Sequence, residues 1–224
     1  MYKSIYYDRN SNQVHLWTDG KHGDKPYECF KYEKYAYTID SRGEHLTLNN
    51  LKVKKVKAWS KQAEEDGMVF EHDVLPTTRV LIDRYSKYDD VSQDHVVLFF
   101  DIEVEKGLKY SKPHEALNVI NAISYYDTAS KGYTCLLLDR SGEVQDKTLG
   151  DGTSLKRFST EEELLLYFVN EWRQIGPSIV TGWNSSRYDI PYLYKRLLNL
   201  FGEETASLLS PIGIVNERTY GRDR

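Results

Sequence analysis

Two acidic residues lie two positions apart in a strongly apolar segment, Val96-Val-Leu-Phe-Phe-Asp-Ile-Glu-Val104. The segment reads as a β-strand, and residues two apart in a strand share a face, so Asp101 and Glu103 are expected to point the same way. Adjacent buried carboxylates repel one another and are costly to bury. A divalent cation with oxygen ligands, Mg²⁺ or Mn²⁺, would compensate. The alternative is a pair of acids in solvent at a strand end, where charge discourages edge pairing.

A third carboxylate follows in Thr181-Gly-Trp-Asn-Ser-Ser-Arg-Tyr-Asp-Ile-Pro-Tyr-Leu193. This segment reads as a strand end, a tight turn and a helix that starts at Asp189, with Pro191 in its first turn. An Asp at that place commonly caps the helix by accepting backbone N–H groups. Asn184 is equally a typical turn residue. A carboxylate fixed at a helix tip can also face acids on an adjacent strand, so both roles of Asp189 stay open.

The elements around these acids predict an α/β (α+β) domain with a mixed sheet. Three strands, a helix, a strand and a helix follow one another, which is the element order of a ribonuclease-H-like fold. The predicted strands are Val96–Val104, Val119–Tyr126, Tyr133–Leu138 and Ser178–Gly182. Ser159 or Thr160 is predicted to cap the first helix, with Glu162 or Glu163 completing a capping box. The predicted buried helix faces are Leu165, Phe168, Val169 and Trp172, then Tyr194, Leu197, Leu198 and Phe201.

The chain before about Asp94 has a different pattern. Short alternating stretches separated by turn residues predict a small β-rich N-terminal domain. These stretches are Tyr2–Tyr7, Gln13–Thr18, Cys29–Thr38 and His45–Leu48, and a short helix is expected within Val74–Tyr88. The boundary is placed in the polar stretch before Val96, which gives domains at residues 1–94 and 95–224.

Bulk composition excludes several classes of protein. No apolar run in the 224 residues approaches the ~20 that a membrane helix needs. The two cysteines, Cys29 and Cys135, are too far apart in sequence to suggest a metal motif, and two cysteines give no disulfide framework. A reducing, intracellular compartment is therefore expected. The net charge of −4 neither indicates nor excludes a nucleic-acid partner, because a nuclease must gather carboxylates.

The two acidic segments together resemble a known family. Phe100-Asp-Ile-Glu-Val104 is similar to the first exonuclease motif of family B DNA polymerases, and Gly182-Trp-Asn-Ser-Ser-Arg-Tyr-Asp-Ile-Pro-Tyr-Leu193 resembles the second. Thr78–Asp83 and Ser210–Gly213 resemble flanking segments, the latter in tailed-phage members. The resemblance implies the N-terminal domain and part of the 3′–5′ proofreading exonuclease of a replicative polymerase. It also implies a single-stranded DNA 3′ end as substrate, in the cytoplasm of an infected bacterial host.

The resemblance also implies roles for individual residues in a two-metal site. The acid at Asp101 would bridge both metals, and the acid at Glu103 would bind the metal that carries the attacking water. The acid at Asp189 would help to hold the second metal, largely through water. Asn184 would lie near the terminal nucleotide, whereas Tyr188 would either stack in the site or pack under the turn.

One part of the family pattern is not found in the sequence. The third motif, a Tyr followed four positions later by an Asp, has no counterpart, since Tyr220 and Asp223 are three apart. We therefore expect the chain alone to have little or no nuclease activity. A second polypeptide would complete the site, or the chain is equally a truncated product or a remnant. One alternative is a non-catalytic nucleic-acid-binding or subunit-docking scaffold. Another is an independent nuclease whose further acid is Glu203, Glu204 or Glu217.

Two features of the N-terminal part also have two interpretations. The basic cluster Lys52, Lys54, Lys55, Lys57 and Lys61, with Trp59 nearby, would either contact phosphates or form a solvated face. The numerous tyrosines would either stack bases or fill a small β-rich core.

Overall fold

The computed structural model describes residues 1–107 and 111–217. The chain forms two compact units, Met1–Asp94 and His95–Arg224. Across the described residues, no helix has the length and apolar character needed to cross a membrane.

The first unit contains two small antiparallel sheets. One has the order β1-β2-β3, and the other has the order β5-β6-β4-β7. The strands are β1 (Tyr2–Asp8), β2 (Gln13–Thr18), β3 (Tyr27–Lys31), β4 (Ala36–Ile39), β5 (His45–Leu46), β6 (Lys52–Val56) and β7 (Val69–Phe70). Two helices, α1 (Lys61–Glu65) and α2 (Pro76–Tyr85), complete the unit.

One strand prediction in this unit is wrong. The stretch Cys29–Thr38 is not a single strand, because residues 32–35 carry the chain out of the first sheet and into the second. The backbone N–H of Tyr32 still donates to the Asn12 carbonyl at 3.0 Å, and pairing with β2 ends there. Tyr35, already buried, then precedes the new strand.

The second unit is built on one six-stranded mixed sheet with the order β11-β12-β10-β9-β8-β13. Its strands are β8 (Val97–Val104), β9 (Ile120–Asp127), β10 (Gly132–Leu138), β11 (Lys147–Thr148), β12 (Ser154–Phe158) and β13 (Ile179–Thr181). Strands β8, β9 and β10 form an antiparallel meander, whereas β12 and β13 run parallel to β10 and β8. The helices are α3 (Glu161–Ile175), α4 (Ile190–Phe201) and α5 (Glu203–Ala206). This arrangement confirms the predicted mixed-sheet, ribonuclease-H-like fold class.

Helices α3 and α4 pack on one face of this sheet. Their apolar side chains join those of β8, β9 and β10 in a single core. In α3 the buried residues include Leu165, Phe168 and Val169, as predicted. In α4 the fully buried residues are Tyr192, Leu193 and Leu197. The other predicted residues, Tyr194, Leu198 and Phe201, are partly buried and pack against the same core. The Tyr192 hydroxyl donates to the Asn118 carbonyl at 2.8 Å, which lets a tyrosine lie fully buried.

The start and end of α3 follow the predicted signals. Thr160 is the N-cap, and its hydroxyl accepts from the Glu163 backbone N–H at 3.2 Å. The Glu163 carboxylate in turn accepts from the Ser159 backbone N–H at 3.3 Å. Gly176 ends the helix with a φ of 56°, a left-handed conformation that favours glycine.

Candidate active site

Strand β8 has one buried face and one open face. Leu98, Phe100 and Ile102 enter the core, whereas Asp101 and Glu103 are exposed on the opposite face. In the β8–β9 pairing Asp101 lies opposite Ser124, and Glu103 lies opposite Ala122. The two acids share a face, as the spacing of two predicts. The expectation that they are buried is wrong, because the sheet face that carries them is not covered by described residues.

Strand β13 brings the second acidic segment beside this face. It runs parallel to β8, with Thr181 opposite Phe99. The next residue, Gly182, lies so near β8 that an added Cβ would be 2.3 Å from the Phe100 carbonyl oxygen. Any side chain there would collide with backbone, so glycine is required. The turn that follows therefore leaves the sheet next to the peptide that precedes Asp101.

The turn then forms one π-helical segment, Ser185–Asp189, before α4 begins. The Ile190 backbone N–H donates to the Ser185 carbonyl, and the Asn184 carbonyl accepts from Arg187 at 3.1 Å. Asp189 has helical φ and ψ values and makes no side-chain capping hydrogen bond. The N-cap interpretation of Asp189 is therefore wrong. Isolated π turns of this kind are frequent at functional sites.

The Asp189 carboxyl lies in an unfavourable electrostatic environment. The residue is only 3% exposed, and its Oδ2 atom has no hydrogen-bond partner among the described residues. Burial raises the pKa of Asp189 to about 6, and the negative charges of Asp101 and Glu103 add to the rise. A hydrogen bond from the residue's own backbone N–H acts in the opposite direction and lowers this pKa. The negative charges of both strand acids therefore act on the Asp189 carboxyl.

The two predicted nucleic-acid contacts have different environments. Asn184 is exposed on the turn. Tyr188 is half-buried and stacks on Tyr192, with ring centroids 5.4 Å apart, so its ring packs under the turn. Sequence reasoning did not single out Trp183, which is fully exposed beside Asn184. A tryptophan inside a turn, away from any apolar period, is the signal that was available.

The three acids match a divalent metal in ligand type. An orphaned buried carboxylate oxygen next to two exposed carboxylates is the hard-oxygen donor set that Mg²⁺ and Mn²⁺ prefer. Within residues 1–107 and 111–217, however, no three His, Cys, Asp or Glu side chains are grouped so as to hold one ion. That finding includes Glu203, Glu204 and Glu217. Tyr220 and Asp223 lie outside the described residues.

Comparisons with known proteins agree with this architecture. The family model for the exonuclease domain of DNA polymerase family B matches residues 85–222. The DNA-directed DNA polymerase of Escherichia phage RB69 is 34% identical over an alignment of 145 residues that covers 54% of this chain and 16% of that protein. That of Enterobacteria phage T4 is 30% identical over an alignment of 138 residues that covers 53% of this chain and 15% of that protein. A DNA polymerase beta of African swine fever virus (isolate Warthog/Namibia/Wart80/1980) is 29% identical over an alignment of 141 residues that covers 59% of this chain and 11% of that protein.

The 224 residues thus span less than a fifth of the length of each of these relatives. The matched part contains all three predicted acids, the strand β8 and the turn into α4. Since the family model covers more than half of the chain, the chain belongs to the exonuclease-domain family of the family B DNA polymerases.

Proposed function

We propose that this chain carries the acids of a two-metal 3′–5′ proofreading exonuclease that acts on single-stranded DNA 3′ ends during replication. Family membership and the similarity to two phage proteins, both DNA-directed DNA polymerases, support this activity. The same relatives support the cytoplasm of an infected bacterial host as the place of action.

The observation that carries the proposal is the Asp189 carboxyl. It is buried, one of its oxygens has no donor among the described residues, and its pKa is raised to about 6 by burial and by Asp101 and Glu103. Such a group destabilises a fold unless a cation or proton offsets it. Asp101, Glu103 and Asp189 would together hold Mg²⁺ or Mn²⁺, with the two strand acids open to substrate.

A bound divalent ion would supply two things here: a lowered pKa for an attacking water, and neutralisation of charge on the phosphodiester. The chain's own residues would place the substrate. Asn184 is exposed and offers an amide donor and acceptor to the terminal nucleotide. Trp183 offers a free ring on which a base can stack. Tyr188, stacked on Tyr192, holds the turn and hence the position of Asp189.

We also propose that full activity needs a further acidic ligand from a second polypeptide. Magnesium demands near-ideal octahedral geometry, and the three acids do not form a closed group among the described residues. The same observation favours a second candidate function. A non-catalytic nucleic-acid-binding or docking scaffold would retain the fold without a functioning metal site.

Thermal unfolding with and without Mn²⁺ or Mg²⁺ separates these functions. A metal site predicts a rise in Tm for the wild type that is lost in both Asp101→Ala and Asp189→Asn. The matched control is Glu143→Gln, an exposed acid in the same unit, which should keep the rise. Binding of single-stranded DNA with no metal response in any variant would reject the exonuclease proposal in favour of the scaffold.

The need for a second polypeptide is tested by cleavage. A 5′-labelled single-stranded oligonucleotide with Mn²⁺ is expected to be shortened slowly or not at all by the chain alone. Rapid shortening from the 3′ end by the wild type, absent in Asp101→Ala, would show that these residues suffice and would remove that part of the proposal.

A further inference from the structure

A β-bulge interrupts the pairing of β8 with β9 directly beside Glu103. Ala122 pairs with Glu103. The next pair along the two strands is Ile120 with Val104, which makes Asn121 the extra residue of β9. In a bulge two residues of one strand lie opposite a single residue of its partner, and bulges are over-represented next to active sites, where they re-aim a side chain. The bulge therefore brings Asn121 opposite Glu103.

The Asn121 side chain belongs to the acid-bearing face of the sheet. Three residues of β9 face the helices and are at most 5% exposed: Ile120, Ile123 and Tyr125. Asn121 is partly exposed, and Ser124, opposite Asp101 on the acid-bearing face, is exposed. Adjacent residues of a strand point to opposite sides, so the residue after buried Ile120 points away from the helices. Both observations place Asn121 on the side of Asp101 and Glu103.

The Asn121 amide carries a buried acceptor whose hydrogen-bonding capacity is not met. Its Oδ1 atom is buried and has no hydrogen-bond partner among the described residues. In the described part of the second unit the same holds for one other side-chain atom, the Asp189 Oδ2 atom. Buried polar atoms are nearly always paired in folded proteins, and an exception indicates a water or an ion at that place.

These two unpaired oxygens flank strand β8 from opposite sides. Asn121 lies on β9, which pairs with one edge of β8, whereas Asp189 ends the turn after β13, which pairs with the other edge. The negative charge of Glu103 acts on the Asp189 carboxyl. Glu103 thus lies within electrostatic range of one unpaired oxygen and opposite the residue that carries the other. A carboxylate and two acceptor oxygens cannot satisfy one another, because an ionised carboxylate and an amide oxygen only accept.

We propose that Asn121 supplies a fourth oxygen donor to the metal site, beside the three acids. An amide carbonyl oxygen suits Mg²⁺ and Mn²⁺ as a ligand in the same way as a carboxylate does. It is neutral, so it adds to the donor set without increasing the repulsion among the acids. This assignment rests on the proposed exonuclease site and adds to it a residue of a type that the search for acids leaves out.

Binding of Mn²⁺ to the full chain, measured by electron paramagnetic resonance of the free ion, tests the assignment without any cleavage. Asn121→Leu keeps the approximate shape of the side chain and removes the donor oxygen. The variant should bind Mn²⁺ about tenfold more weakly than the wild type, the lower end of what the loss of a group supporting a metal site typically costs. Asn170→Leu, the same change at an exposed residue of α3, should bind Mn²⁺ as the wild type does.

Asn121→Asp is a second variant that keeps an oxygen at the same place and adds a negative charge. It should bind Mn²⁺ more tightly than the wild type, whereas Asn170→Asp should not. This pair of substitutions also decides the matter if Asn121→Leu does not fold. Affinity of Asn121→Asp equal to or below that of the wild type, or an equal gain in Asn170→Asp, overturns the role of Asn121.

Asp101→Ala separates the failure of this assignment from the failure of the proposed function. If Asp101→Ala binds Mn²⁺ as the wild type does, or if the wild type binds none at millimolar concentration, the exonuclease site is wrong and the role of Asn121 fails with it. If Asp101→Ala loses the ion and Asn121→Leu keeps the affinity of the wild type, the exonuclease site stands and the assignment of Asn121 is overturned. Unchanged affinity together with a higher Tm in Asn121→Leu would show that the amide oxygen holds only a buried water.

Discussion

Replacing Asp189 with asparagine is expected to stabilise the metal-free protein at neutral pH. The fold raises the pKa of Asp189 from its ordinary 3.8 to about 6. Between these values the unfolded chain has released the proton and the folded chain still holds it. Stability must fall as pH rises through a window in which the folded state binds more protons. The penalty is absent well below pH 3.8 and complete above the folded-state pKa.

The size of this penalty follows from the shift. Each pKa unit corresponds to about 1.36 kcal/mol, so the full penalty is about 3 kcal/mol at about pH 7.5. At about pH 4.5 most of the unfolded carboxyl has already ionised, and the same linkage gives about 1 kcal/mol. Asparagine keeps the shape of the protonated acid without its charge. Asp189→Asn should therefore be more stable than the wild type by about 3 kcal/mol at about pH 7.5 and by about 1 kcal/mol at about pH 4.5.

Native-state hydrogen exchange of the core amides in α3 and α4 is a suitable assay, because it reports on the second unit by itself. It is run in EDTA at the two pH values, with Glu143→Gln as the control. That exposed substitution should change stability by about 0.5 kcal/mol or less. An Asp189→Asn protein that is less stable than the wild type, or a difference that does not grow with pH, would refute the reasoning. Adding Mn²⁺ should then stabilise the wild type and leave the variant unchanged.

Three further changes test the elements that position the acids. Gly182→Ala forces a Cβ into the backbone of β8 and should destabilise the second unit by about 1–3 kcal/mol in urea unfolding, whereas Gly150→Ala, which meets open space, should not. Arg196→Ala leaves the Glu161 carboxylate, paired with it at 2.6 Å and only 6% exposed, buried without its cation. A loss of about 3–5 kcal/mol is expected by the same measurement. Thr160→Ala removes the N-cap of α3 and should cost about 1 kcal/mol, and recovery of stability in a Thr160→Ser protein would show that the hydroxyl is responsible.

Strong local patterns were enough to predict most of the fold. Local sequence patterns were sufficient for three parts of the second unit: the apolar run of β8, the meander that follows it and the capped helix α3. In each of them the element that the pattern predicts is the element that the structure contains. Strand β12, Ser154–Phe158, was not predicted. Its sequence, Ser-Leu-Lys-Arg-Phe, shows neither apolar alternation nor a continuous apolar run, because all five side chains are only half-buried. Its place depends on pairing with β10, which is information that a single segment does not contain.

The two buried residues of α4 that were not predicted have a related cause. The α4 sequence, Ile190-Pro-Tyr-Leu-Tyr-Lys-Arg-Leu-Leu-Asn-Leu-Phe201, is apolar around much of the helix, so periodicity leaves the buried side ambiguous. Tyr192 and Leu193, which periodicity did not single out, are buried in the first turn of α4, directly after the π turn. The residue types of Ser185–Asp189 do not indicate that this turn is π-helical and so contains one residue more than an α-helical turn.

The π turn also explains why the sequence alone did not predict the electrostatic environment of the Asp189 carboxyl. The sequence places an aspartate where a capping residue belongs, and a capped carboxylate would have its charge satisfied by backbone N–H groups. Asp189 instead makes no capping hydrogen bond, and one of its buried carboxyl oxygens has no donor in the part of the chain that the structure describes. The strand acids Asp101 and Glu103, for which the sequence suggested burial and mutual repulsion, are exposed. The destabilising charge thus lies on the helix side of the cluster. A cation bound there, as proposed, would gain affinity because it would remove a penalty that is already present in the fold.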